Sequence, residues 1–251
     1  MTTAVLTPAR TRGPAAGRAP LARLTLLEVR KSLSTRSGIA LTAAASVLPA
    51  GMTALMVALD DPPPNAAVLL ALLGTLVSML LLAVGILSTA GEWTHGTVQV
   101  TFLTEPRRGR VLTAKYAGAA LLGAAIAVVV VGTTLAVAAL GTGPEFSWAG
   151  VGVAATATVV GGAALTVVGA GIGAAVANSP AALTGTYITL LVGMTLLNTL
   201  KPTWAQHVDP LTALYDLIDG AGTGRPIGVL AGWLVATTVA GALVTSRRQL
   251  T

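Results

Sequence analysis

Cysteine is absent from this 251-residue chain, so it has no disulfide framework, zinc–thiolate site or cysteine nucleophile. Charge is scarce as well. Only 10% of residues are charged, against about 25% in an ordinary soluble domain. The two histidines, His95 and His207, fall in polar segments on opposite sides of the long apolar runs, which excludes a shared site. No GxxxxGKS/T phosphate loop occurs, so ATP hydrolysis by that chemistry is excluded. No Asp, Glu, Lys, Arg or His stands well inside an apolar run. That argues against the buried ionisable groups of proton-driven carriers, and against haem, redox or metal ligands at membrane depth. Intramembrane hydrolysis lacks a Ser–His or paired-Asp set.

What the chain has in quantity is apolar length: 54% of residues are hydrophobic. Six stretches, about 39–59, 66–90, 116–140, 148–177, 181–200 and 227–245, approach or exceed the length needed to cross a bilayer, which is roughly 20 residues. Asp60-Asp61-Pro62-Pro63-Pro64-Asn65 ends the first, because consecutive prolines cannot continue a helical hydrogen-bond ladder. Gly141 to Glu145 and Asn178-Ser179-Pro180 punctuate the later ones. Lipid offers no partner to a backbone amide, so such segments must be helical. The alternating ten-residue pattern of a β-barrel is missing. The expected fold is an all-α integral membrane protein with a six-helix bundle.

Lysine and arginine set the orientation. With six spans the termini share a side, and that side holds thirteen cations: seven before the first span, four in 91–115 and two at the end. The other side holds Lys201 and Arg225. By the positive-inside rule the termini and the 91–115 loop face the cytosol. The net charge of +6 therefore reflects topology rather than nucleic-acid binding.

Residues 1–20 carry several arginines and prolines and no acid, and read as a disordered cytosolic tail without a cleavable signal. Residues 21–37 read as a short helix with Ala22, Leu26, Val29 and Leu33 on one face, followed by the membrane domain 38–251. That helix would lie on the inner leaflet, or be a basic flank anchoring the first span; Arg23, Arg30 and Lys31, with Arg110 and Lys115, are the expected leaflet anchors. In span four Gly169 and Gly173 have the small-xxx-small spacing that lets helices approach closely, within the chain or between chains.

The longest inner loop, Gly91 to Lys115, reads GEWTHGTVQVTFLTEPRRGRVLTAK. Its arginines and Trp93 fit a plain positive-inside anchor. Glu92 does not, since a lone carboxylate is costly at the membrane edge. Glu92, Gly96-Thr97, then Thr104-Glu105-Pro106-Arg107-Arg108 and Lys115 resemble the cytosolic loop of ABC-2 type transporter permeases, which often show Glu…Gly-Thr…Pro-x-x-Arg…Lys between spans two and three. Arg107 and Arg110 flank the usual arginine position.

The resemblance implies an amphipathic N-terminal helix, matching 21–37, and a coupling helix at about 91–105. It implies short outer helices before span six, matching Pro210 to Ile218. There Leu211, Leu214, Tyr215 and Ile218 also follow helical spacing, as in an ordinary surface helix. It implies a permease subunit of a bacterial inner-membrane exporter for a hydrophobic or amphipathic cargo. The chain would not itself be an enzyme or hold a cofactor. A separate ATP-binding-cassette subunit would bind ATP, and a second permease subunit would complete the pair. Glu92, Trp93, Thr97, Glu105, Pro106, Arg107 and Arg108 would carry the coupling, with membrane lipid around the arginines. The rival reading is a membrane enzyme or assembly factor using the outer group His207, Asp209, Asp216 and Asp219. A passive structural protein, or a secondary transporter, is the remaining alternative.

Overall fold

The computed structural model describes residues 20–97 and 107–248. Among them no strand is formed, and six helices are long and apolar enough to cross a membrane. The chain is thus a multi-pass, all-α membrane protein. Helix α1 (Leu21–Ser32) meets α2 (Arg36–Ala58) at a short elbow, residues 33–35. The Thr35 hydroxyl caps α2 by accepting from the Gly38 amide at 3.1 Å. A side chain at Gly38 would run into the Ser32 carbonyl, so the elbow needs glycine there.

Helix α3 (Ala66–Thr94) follows the proline turn, capped by Asn65, whose side chain accepts from the Val68 amide at 2.8 Å. Helix α4 is Arg108–Gly141, beginning well before the expected 116, and α5 is Val151–Val176. Left-handed residues Gly150 and Ala177 bracket α5. Asn178 caps the fifth span, α6 (Ser179–Leu200), in which Ile188–Gly193 forms a wider π-helical turn. Short α7 (Pro202–Ala205) and α8 (Pro210–Asp219) lead to α9 (Gly224–Arg247).

Two helices make the centre. In their most apolar stretches 67% of α3 and 61% of α5 is buried, against 17% for α2, α6 and α9. Glycines explain how α3 and α5 can meet. A side chain at Gly85 of α3 would strike the Thr166 carbonyl of α5; one at Gly169 would strike the Leu82 carbonyl, and one at Gly173 the Ile86 carbonyl. The Gly169/Gly173 pair therefore serves packing within the chain, backbone against backbone. The apolar core of Leu70, Leu82, Ile86, Leu165 and Val168 fills the rest of this seam.

Helix α8 lies against the bundle rather than apart from it. Leu214 and Ile218 are fully buried, and their tips occupy the space left by Gly161 of α5 and Gly74 of α3. The expected pattern of Leu211, Leu214, Tyr215 and Ile218 thus marks the packed face of a real helix, with Leu211 and Tyr215 half-buried.

Candidate functional site

The loop between α3 and α4 starts as the tail of a buried helix. Gly91 to Thr94 are the last turn of α3, not the start of a separate coupling helix, and Arg108 to Lys115 already belong to α4. The hydrophobic run that forms α3 carries Glu92 onto its inward face. Glu92 is 4% exposed. Its carboxylate accepts from Lys31 of α1 at 2.5 Å and from Lys115 of α4. Lys115 also donates to Glu28 of α1 at 2.7 Å. The result is a chain of charges, Lys31–Glu92–Lys115–Glu28, that returns to α1 one helical turn from where it began. Glu28 and Lys31 stand three apart and so share a face.

This corrects the placement of Glu92 and Lys115 in the inner loop. Glu92 and Lys115 both lie within helices and are buried, close to the basic end. Two acids and two ammoniums balance within the network, which is the condition for burying them at tolerable cost. The alignment of α1 follows from it. Thr25, Glu28 and Val29 face the bundle, and Gly118 of α4 leaves room for the Glu28 side chain, while Leu26, Leu27 and Leu33 stay exposed. The apolar face expected from Ala22, Leu26, Val29 and Leu33 is therefore split, with Val29 inward and the leucines outward.

A second junction sits beside the first. The Arg108 guanidinium donates to the carbonyls of Thr245 (2.9 Å), Ser246 (3.3 Å) and Arg248 (2.7 Å), closing the C-terminal end of α9. Arg248 in turn donates to the Ala175 and Val176 carbonyls at the end of α5, and its guanidinium lies 5.1 Å from the Trp93 ring centroid. Trp93 also packs on Val111. The basic ends of α3, α4, α5 and α9 are thereby fastened together.

The remaining expected site residues divide as follows. Thr97 reaches the Glu92 carbonyl with its hydroxyl at 3.5 Å. Arg107 is exposed at the cap of α4, and Arg110 is half-buried in its first turn. Arg23 and Arg30 are exposed on α1. Glu105 and Pro106 lie outside the described residues. Sequence reasoning missed Glu28 as a participant. It is the only acid before Asp60, and its spacing from Lys31 was the available signal. Arg248 carried no such signal.

At the opposite end Asp209 and Asp216 have structural roles. Asp209 accepts from the Leu211 amide (2.9 Å), the Thr212 hydroxyl (2.7 Å) and the Asn198 amide (3.1 Å), fixing the start of α8 to the end of α6. Asp216 pairs with Arg225 at 2.6 Å, and His207 Nδ1 lies 2.8 Å from the Thr203 carbonyl. Among the described residues no group of three His, Cys, Asp or Glu could hold a metal ion. An apolar groove of about 860 Å³ opens between α5 and α9, bordered by Ile172, Val176, Gly232 and Trp233. No protein-family model matches the sequence, and no curated protein matches it.

Proposed function

We propose that this membrane protein is the permease subunit of an ABC-2 type transporter in a bacterial inner membrane, moving a hydrophobic or amphipathic molecule. It would be driven by a separate ATP-binding-cassette subunit and paired with a second permease subunit. The observation that carries this reading is the placement of Glu92. The described start of the connection after α3, residues 95–97, is exposed and follows directly on a buried carboxylate that is held by lysines from two other helices. In this reading a displacement there would pass to α1 and α4 through the lysines on Glu92, and to α5 and α9 through Arg108 and Arg248. Such a junction suits a bundle moved from outside itself, in which binding energy at one site biases two arrangements of packed helices. The lack of a phosphate loop and the apolar α5/α9 groove are in keeping with it.

The outer polar enzyme site has no such support, because Asp209 and Asp216 are committed to a helix cap and an ion pair. The test is purification of the tagged chain from its native membranes and reconstitution with any cassette ATPase that follows it. The expected result is stoichiometric recovery of that ATPase. Its turnover should respond to the permease, and Glu92→Gln should lose that response while the complex persists. Recovery of no cassette ATPase, or turnover indifferent to the permease, overturns the reading.

A further inference from the structure

A cleft of about 640 Å³ opens at the basic end between the α1–α2 elbow, the end of α3 and the start of α6. Its walls change character with depth. Along α2 the lining runs from Thr35 to Leu41, and along α3 from Glu92 down to Val84. At 1.5 Å per residue these paths descend about 9 and 12 Å into the bundle. Hydroxyls of Ser34 and Ser37 and the Lys31 ammonium stand at the rim, while Leu41, Val84 and Leu87 form the deeper wall. The titratable groups facing it are Lys31, Glu92 and His95. Glu92 is 4% exposed and shared with Lys115, so the charge that the cleft presents outward is Lys31, whose side chain is 41% exposed. The elbow around it, residues 21–38, holds four cations (Arg23, Arg30, Lys31, Arg36) and one acid, Glu28.

We infer that this cleft binds one anionic phospholipid of the inner leaflet, with its headgroup phosphate at Lys31 and an acyl chain along Leu41, Val84 and Leu87. Three features select that occupant. The depth and apolar wall suit a hydrocarbon chain and give nothing to a soluble anion. The excess of cations at the elbow favours a headgroup with net negative charge over a zwitterionic one. Lysine and arginine asymmetry places the opening in the leaflet where anionic lipids lie. The site stands whether or not the transport reading does. It has one consequence for the junction: a phosphate at Lys31 would share that ammonium with Glu92, as Glu28 and Glu92 share Lys115.

The experiment is native mass spectrometry of the full-length, delipidated protein with phosphatidylglycerol or phosphatidylcholine of identical chains. The wild type should hold one tightly bound phosphatidylglycerol per chain, with about fivefold preference over phosphatidylcholine. Lys31→Gln should erase the preference and keep chain uptake. Ser88→Phe, and independently Ser37→Trp, which fill the cleft from opposite walls, should lose that lipid while melting without lipid as the wild type does. Equal binding of the two lipids by the wild type overturns the inference. Full occupancy in both cleft-filled variants does so too, as does displacement of the lipid by soluble glycerol phosphate at equal concentration.

Discussion

The two ends of the bundle solve the burial of acids in different ways. At the basic end Glu92 is held by Lys31 and Lys115, which lie 61 and 23 residues away, and Lys115 reaches Glu28 across 87 residues. At the other end Asp209 is held by partners 2, 3 and 11 residues away, and Asp216 by an arginine 9 residues on. One arrangement ties distant helices into a unit. The other shapes one connection between α6 and α9. A carboxylate satisfied by neighbours in sequence organises a turn, whereas one satisfied across the fold makes separate helices move together.

Breaking the long-range network should have the largest effect. Glu92→Ala leaves Lys115 buried beside only Glu28, and removal of one partner from a buried pair costs about 3–5 kcal/mol. Titration with SDS in mixed micelles should show that loss, with early proteolysis in α1. The double variant Glu92→Leu/Lys115→Leu should recover much of it, because the two most buried ions go together and the two that remain, Glu28 and Lys31, are more exposed and stand three apart on one face of α1. A double variant as unstable as the single one would show that the network does more than balance charge.

The seam between α3 and α5 offers a control that contains no charge. Gly169→Leu forces a side chain against the Leu82 carbonyl, where no flexible group can yield. Overpacking of this sort costs about 1–3 kcal/mol, read in the same titration. Its effect should add to that of Glu92→Ala, since the two sites share no partner.

The opposite end should respond less. Asp209→Ala removes the cap of α8 and leaves Asn198 and Thr212 without their acceptor, a loss of about 1–2 kcal/mol. Hydrogen exchange should rise over α8 and the end of α6 and stay unchanged in α1. Asp216→Asn should cost under about 1 kcal/mol, because Arg225 is 41% exposed and water screens the pair. A loss at Asp216 equal to that at Glu92 would erase the contrast between the ends.

The apolar runs and their interruptions determined the six spans, and the placement of fifteen cations determined which end is basic. Both are properties of a segment by itself: its length against the bilayer and its charge against the lipid surface. Glu92 also stood out alone, as a carboxylate in a costly position. Only the tertiary structure decided that Lys31 and Lys115 answer it, that Gly169 and Gly173 admit α3, and that Leu214 and Ile218 seal the bundle. The physical reason is that lipid is as apolar as leucine, so a helix face turned to protein and one turned to hydrocarbon have the same composition. Partners far apart in the chain are selected by shape and by paired charge, and neither is written in any one segment.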